Sequence, residues 1–378
     1  MGGSAFNAIL PASALPRIPP AVYYAMKARM TPRLQTLYSI VSTPPEAPEK
    51  QDHGDLDFLV CEPLKGDVTH DEVKAVLNAT YVIPMPGNRT SSYAVPVERD
   101  ERWNETEETY YQVDVHVCAD KAEWERIHFF HGYGDLGMIM GLISRNKGLQ
   151  LGSTGLKIPN PPRPPFYLSE SMDEIMQYLG LSMEQWKAGF KTKQQVFEWA
   201  GTCSLFDPAT FRTAGEGINK VKPERTMYAQ FAQWVEEQKQ HLDDSETPSR
   251  VFLEKDERIQ HALKYFGKKE QFDALAREDA VKARIKESFN GVKVRAWTGL
   301  SGAEWKDLKA TMDQVRAWTG GEAGIVKILD EQGEEGIKEL VLRAKEVVSL
   351  RATENTAQEV SAITKELEAV LIAETPVV

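Results

Sequence analysis

Three stretches in the first half of the chain have the hydrophobic pattern of β-strands. Residues 55–61 are an apolar run that begins with carboxylates at alternate positions, and residues 93–97 and 109–118 are rich in β-branched and aromatic side chains. Because successive side chains of a strand point to opposite faces, the third stretch predicts one polar and one apolar face. The polar face carries Tyr110, Gln112, Asp114 and His116, and the apolar face carries Tyr111, Val113, Val115 and Val117.

Apolar residues at helical spacing connect these predicted strands. We expect a helix from Pro20 to about Val41, with Pro32 kinking it or ending its first half. The same kind of pattern predicts a helix from Thr69 to Ala79, a helix over 121–145 that breaks near Gly132–Gly134, and a closing strand over 151–158.

The texture of the chain changes at residues 159–166, where five of eight residues are proline. Such a stiff connector is typical of a domain boundary. Beyond it strand signals nearly vanish, and 170–378 has the pattern of amphipathic helices. The sequence therefore predicts an α+β domain over 1–165 and an all-α domain over 166–378.

The hexapeptide VRAWTG occurs at 294–299 and again at 315–320. We interpret both copies as helix-to-turn corners whose tryptophans, Trp297 and Trp318, fill gaps in a helical core. The alternative is a pair of exposed indoles on which bases stack.

The composition is that of a globular protein in water. Of 378 residues, 42% are hydrophobic and 27% charged, and no stretch approaches the roughly 20 apolar residues of a membrane-spanning helix. The net charge of −11 argues against a surface coated with nucleic acid, while leaving room for a local basic site. Three widely spaced cysteines and an opening segment without the pattern of a secretory signal favour the cytoplasm, with the nucleus as the alternative.

Charge is distributed unevenly along the chain. Residues 1–45 contain no Asp or Glu, although they carry Arg17, Lys27, Arg29 and Arg33. Such a segment is either a mitochondrial transit peptide or the electropositive wall of an anion-binding site. Its prolines and its unbroken run into the first chemical motif favour the wall.

The candidate chemistry is carried by three aspartates. Asp55 and Asp57 lie two apart on a predicted strand, so their side chains project from one face. Asp114 stands between valines on another predicted strand, where a buried carboxylate is costly unless it is paired or metal-bound. Carboxylate oxygens are ligands that Mg²⁺ and Mn²⁺ prefer, and a third carboxylate from a neighbouring strand completes a two-metal site.

The segment MGGSAFN, the strand HGDLDFLVC and the strand YYQVDVHVC resemble, in this order, the signature elements of the nucleotidyltransferase superfamily typified by DNA polymerase beta. The resemblance covers about residues 1–160. The segments HGYGDLGMIMGLISRNKGLQLGSTGLKI and MQYLGLSMEQWKAGFKTKQQVFEWAGTCSLF resemble a fungal group within that superfamily. Two features depart from the superfamily pattern: almost no apolar strand precedes the Gly-Gly-Ser turn, and roughly fifty residues separate Ser4 from Asp55.

The resemblance implies a nucleotidyltransferase-type mixed sheet with flanking helices, followed by the helical domain. It implies metal-dependent transfer of a nucleoside monophosphate from a nucleoside triphosphate to a hydroxyl acceptor. The catalytic and metal-binding residues are then Asp55, Asp57 and Asp114, with Mg²⁺ or Mn²⁺ as cofactor. The nucleotide-binding residues are Gly2, Gly3, Ser4, Arg17 and Lys27, with Arg89 as a further candidate cation.

The acceptor is open among RNA, a small molecule and a protein. The twelve acidic and six basic residues of 321–378 argue against an extended RNA contact, because phosphate contacts need Lys and Arg. The alternative function is that of a non-catalytic nucleotide-binding or scaffold protein with a degenerate nucleotidyltransferase fold.

These hypotheses predict a specific geometry. The three aspartates should converge on one cleft, with the Gly2–Ser4 turn at its mouth. The helix that begins at Pro20 should pack beside this cleft, with Arg17 or Lys27 on the rim.

Overall fold

The computed structural model describes residues 3–85, 87, 89–98, 108–214, 222, 225–243 and 253–352. The chain forms two compact units, Met1–Lys268 and Lys269–Val378. The strands of the first unit are β1 (Tyr38–Ser42), β2 (Asp55–Pro63), β3 (Tyr81–Pro84), β4 (Thr90–Pro96), β5 (Tyr110–Val117), β6 (Gln150–Gly152), β7 (Gly155–Ile158) and β8 (Phe166–Ser169). Its helices are α1 (Pro20–Leu34), α2 (His70–Leu77), α3 (Lys121–Phe130), α4 (Leu136–Asn146), α5 (Met172–Tyr178), α6 (Met183–Ala188), α7 (Lys193–Gly201), α8 (Thr226–Asp243) and α9 (Lys255–Tyr265).

A mixed five-stranded sheet forms the centre of the first unit, with strand order β1-β2-β5-β4-β3. The neighbours β2 and β5 run parallel, and the other pairs in this sheet are antiparallel. A second sheet, β6-β7-β8, is antiparallel. The mixed α+β class expected from the sequence is therefore confirmed.

The two faces of the central sheet pack against different elements. Leu56, Phe58 and Val60 of β2 point into a core shared with α1, α2 and the predicted apolar face of β5. On the opposite face, Leu59 and Cys61 pack with Ile127 of α3. The aspartates belong to this second face, at the end of the strands that α3 leaves open.

The helix expected from Pro20 to about Val41 is shorter than predicted. The α1 helix contains Pro32 in its last turn and ends at Leu34, whereas Tyr38 and Val41 belong to β1 and pair with β2. The expected helix over 121–145 does break, because Tyr133 and Gly134 adopt positive φ angles between α3 and α4. The expected strand over 151–158 is a hairpin of β6 and β7.

The proline-rich stretch at 159–166 lies inside the first compact unit, and the division between the units falls about a hundred residues later than expected. It is followed by β8, which adds a third strand to the β6–β7 hairpin. After β8, the described residues of the first unit are helical or irregular.

Every regular element among the described residues of the second unit, which end at 352, is a helix. Its helices are α10 (Lys269–Ser288), α11 (Gly291–Thr298), α12 (Trp305–Thr319), α13 (Glu322–Glu331) and α14 (Gly333–Ala352). Trp297 and Trp318 are half-buried and pack against its core. Both copies of VRAWTG end a helix at a left-handed glycine, Gly299 or Gly320, as helix-to-turn corners do.

The close approach of α4 to the end of α3 yields a stability prediction. A Cβ at Gly137 would lie 2.0 Å from the carbonyl oxygen of Phe130, whereas a Cβ at Gly152 would meet no atom within 4 Å. We expect Gly137→Ala to lower the free energy of unfolding by about 2–3 kcal/mol, because the helices must move apart. Gly152→Ala should change it by less than about 0.5 kcal/mol. Urea unfolding of both variants measures the difference, and equal midpoints would contradict the packing described for α3 and α4.

Candidate metal centre

Three carboxylates converge where β2 and β5 lie side by side. The parallel register sets Asp57 directly beside Asp114 and Asp55 beside Gln112. Asp55, Asp57 and Asp114 each offer an oxygen within 4.8 Å of the others. The predicted convergence of the three aspartates is therefore confirmed.

The segment that follows Gly2 lies against this cluster, as expected. The Gly3 N–H donates a hydrogen bond to Asp55 Oδ2 at 3.0 Å, and the Ala5 N–H donates one to Gln112 Oε1 at 3.0 Å. Gly3 has φ +78°, and a Cβ on it would lie 2.2 Å from the carbonyl oxygen of Gly54. Only glycine fits this close approach. Ser4 is exposed beside it, and Gly2 lies outside the described residues.

Gln112 links the N-terminal segment to the third aspartate. Its Nε2 donates to both carboxylate oxygens of Asp114, at 3.0 and 3.1 Å, while its Oε1 accepts from Ala5. The sequence pattern placed Gln112 on the same face as Asp114, but it gave no sign of this orienting role. The two hydrogen bonds from the Gln112 side chain therefore fix the orientation of the Asp114 carboxylate.

Ser92 lies opposite Asp114 in the antiparallel register of β4 and β5. Its side chain is fully buried, and its hydroxyl is near enough to lower the pKa of the Asp114 carboxyl. Within the described part of the chain, however, this hydroxyl has no partner in hydrogen-bonding geometry. A buried hydroxyl without a partner beside a carboxylate is a polar group that a bound ion or its water can satisfy.

Burial and neighbouring negative charges raise the pKa values of all three aspartates. Burial is the largest cause in each case, and it raises the pKa of Asp114 to about 6. Solvent reaches the Asp57 side chain from the cleft, yet partial burial of its carboxylate and the charges of Asp55 and Asp114 raise its pKa well above the usual range. Three carboxylates in this environment favour a bound cation.

The donor set fits a hard divalent cation. Mg²⁺ and Mn²⁺ prefer oxygen ligands, which the three carboxylates provide, and an ion relieves the repulsion among them. Asp55 and Asp114 are already oriented by Gly3 and Gln112, which act as a second layer around the ligands.

The cations expected to line the cleft, Arg17, Lys27 and Arg89, contact other parts of the unit. Arg17 donates two hydrogen bonds to Asp52 Oδ1, at 3.0 and 2.7 Å, on the surface. Arg89 pairs with Glu123 of α3. Lys27 is half-buried, and burial lowers the pKa of its ammonium even though the charge of Glu46 opposes this shift.

The loop over 43–54 contributes charged residues that the sequence did not predict. The Tyr23 hydroxyl of α1 and the Lys50 ammonium both donate to Glu46, each at 2.5 Å. The charge of Lys50 lowers the pKa values of Asp55 and Asp57, although burial and repulsion outweigh it. The α1 helix packs on the Leu56 and Phe58 face of β2, opposite the aspartates, and reaches the 43–54 loop through the bond from Tyr23 to Glu46. The expected packing of this helix against the aspartate cleft is therefore not confirmed.

Comparison with known proteins places no further constraint on the site. No family model matches this chain, and no curated protein matches it at a significant level. Among the described helices, none combines the length and the apolar composition that crossing a membrane requires.

The pKa of Asp114 gives a prediction of how stability depends on pH. Because the folded protein holds the Asp114 proton more tightly than the unfolded chain, ionisation of Asp114 lowers stability as pH rises from about 4 to 7. In EDTA, Asp114→Asn should therefore stabilise the protein more at pH 7 than at pH 4. Since one pKa unit equals about 1.4 kcal/mol and the site is partly solvated, we expect a difference of about 1–3 kcal/mol.

Urea unfolding of the parent and the variant at each pH isolates Asp114 from the histidines that also titrate in this range. Asp67→Asn makes the same chemical change at an exposed loop position and serves as the control. A stabilisation by Asp114→Asn that is independent of pH would show that the carboxyl is not held protonated by its surroundings.

Proposed function

We propose that the protein is a metal-dependent nucleotidyltransferase, which moves a nucleoside monophosphate from a nucleoside triphosphate to a hydroxyl acceptor and releases pyrophosphate. The observation that carries the proposal is the trio Asp55, Asp57 and Asp114, which two parallel strands bring within 4.8 Å of one another. The order of the Gly-Gly-Ser turn, the paired aspartates and the single aspartate along the chain supports it.

In this function the three aspartates hold Mg²⁺ or Mn²⁺. When bound, such ions lower the pKa of an attacking hydroxyl and neutralise the charge of the phosphates. Asp55 and Asp57 project from one strand and face the triphosphate together. Asp114 lies on the neighbouring strand and faces the acceptor hydroxyl.

The residues around the aspartates fix their directions before a substrate arrives. The Gly3 N–H holds Asp55, and Gln112 holds Asp114, so neither carboxylate has to reorganise during the reaction. Ser4 is exposed next to Gly3, where its hydroxyl can donate to a phosphate oxygen. The acceptor is an RNA, a small molecule or a protein side chain.

Nucleotide binding tests the proposal directly. The melting temperature is measured with ATP, CTP, GTP or UTP, each with and without Mg²⁺ or Mn²⁺. We expect at least one nucleotide to stabilise the protein only when the metal is present. A ligand at 100 times its Kd adds about 2.7 kcal/mol to the free energy of unfolding, which is easily measured.

Asp57→Asn should abolish this metal-dependent shift and the release of pyrophosphate. It should leave the fold intact or slightly more stable, because a repulsive charge is removed. Asp67→Asn, an exposed carboxylate outside the cleft, should behave as the parent does. If Asp57→Asn binds nucleotide and metal as the parent does, the site is wrongly assigned and a scaffold function replaces the enzyme.

A further inference from the structure

A fourth carboxylate, Glu46, approaches this site through His53, which stands two residues before Asp55 and has its Nδ1 3.3 Å from Glu46 Oε2. Besides burial, which is the largest cause, the charge of Glu46 raises the pKa values of Asp55 and Asp57. A buried negative charge at this place is unfavourable both for itself and for a triphosphate that approaches the cleft. Glu46 is nevertheless held ionised. Burial opposes its ionisation, but His53, Lys50 and Tyr23 outweigh burial and lower the pKa of Glu46 to about 2.

Two of the partners of Glu46 are fixed in the fold. Tyr23 is fully buried in α1, and His53 is 1% exposed and stacks on its ring with 3.8 Å between centroids. The backbone of His53 pairs with Ile18 through hydrogen bonds of 2.8 and 2.9 Å. The carboxylate of Glu46 is therefore anchored by the Tyr23 hydroxyl on Oε1, whereas His53 Nδ1 lies 3.3 Å from Oε2 without hydrogen-bond geometry.

The third partner is the one that solvent reaches. The Lys50 side chain is 37% exposed, and its ammonium donates to Glu46 Oε2. An ammonium has three donors, and Glu46 accepts from one of them. The anchored carboxylate of Glu46 thus holds the end of the flexible Lys50 side chain, and the ammonium keeps further donors for a ligand.

The loop that carries these residues is itself tied to the rest of the unit. The Tyr133 N–H donates to the carbonyl of Pro45 at 2.6 Å, and the N–H of Lys193 donates to Glu49 at 3.2 Å. In sequence, Lys50 follows Glu49 directly and precedes Asp55 by five positions. The backbone on both sides of Lys50 is therefore held by the fold.

We infer that Lys50 binds phosphate oxygens of the nucleoside triphosphate and that Glu46 is the positioning residue that holds Lys50 at the aspartate cleft. This inference rests on the proposed function. It assigns the neutralisation of the triphosphate to the 43–54 loop, in addition to the expected Arg17 and Lys27.

Lys50→Ala tests the first part. ATP, CTP, GTP and UTP are each titrated in the presence of Mn²⁺, and Mn²⁺ alone is titrated separately. We expect the variant to bind the nucleotide about 5- to 50-fold more weakly at low salt, with a smaller loss at high salt because ions screen the lost charge. Binding of Mn²⁺ alone should be unchanged or tighter, since a positive charge near the carboxylates is gone. Lys65→Ala, at an exposed position, is the control.

Glu46→Gln tests the second part through the sign of its effect. If Glu46 acted only by its charge, its neutralisation would strengthen nucleotide binding, because a negative charge beside the cleft disappears. If Glu46 positions Lys50, the glutamine variant should bind the nucleotide about 3- to 10-fold more weakly. In the Lys50→Ala background this loss should vanish or reverse, because nothing remains to be positioned.

The outcomes separate this inference from the proposed function. If Asp57→Asn abolishes nucleotide binding and Lys50→Ala leaves it unchanged, the inference is overturned and the proposed function stands. Stronger binding by Glu46→Gln in the parent background overturns the positioning role. If no nucleotide binds the parent with metal, the function fails and the inference fails with it.

Discussion

The parallel pairing of β2 with β5 is the contact on which the candidate centre depends. It places Asp57 directly beside Asp114, and the pleat of β2 then brings Asp55 to the same face. Side chains that project from paired central strands have little freedom to move apart. The repulsion among these carboxylates is therefore built into the fold, and the surrounding structure has to accommodate it.

Accommodation comes from hydrogen-bond donors and from a nearby positive charge. Gly3 and Gln112 donate to Asp55 and Asp114 from the side of the N-terminal segment. The charge of Lys50, whose ammonium is held by Glu46, lowers the pKa values of Asp55 and Asp57, although burial outweighs it. Glu46 is the first acidic residue of the chain, and it ends the basic segment whose charge suggested an electropositive wall. The cation that acts on two of the aspartates thus follows that segment and does not belong to it.

The sequence predicts the strands of the site well, because β2 is an apolar run that begins with carboxylates at alternate positions and β5 alternates polar and apolar residues. Asp55, Asp57 and Asp114 follow from that alternation together with the resemblance in motif order. The prediction of helix for Tyr38 and Val41 is wrong, and it arises because these residues are three apart and fit the spacing of a helix. Pairing with β2, a contact that local periodicity does not encode, makes this segment a strand.

The roles of Glu46 and Gln112 could not be predicted in the same way. The loop over 43–54 has no periodicity, and its proline-rich composition predicts only an irregular connection. Glu46 acquires its role from Tyr23 and His53, which reach it through tertiary packing. The alternation predicts the face of Gln112 correctly, but its function depends on the backbone of Ala5, far away in sequence.

Alternate residues of β2 point to the aspartate cleft and to the apolar core. The number of residues in this strand is therefore more critical than the identity of any one of them. Leu56 and Phe58 face the core under α1 while Asp55 and Asp57 face the cleft. Substitution of an aspartate alters one face alone. A deletion of a single residue within β2 exchanges the two faces, so that carboxylates enter the apolar core and apolar side chains enter the cleft. The site can therefore be silenced by point changes in a protein that still folds, whereas insertions and deletions here destroy fold and site together.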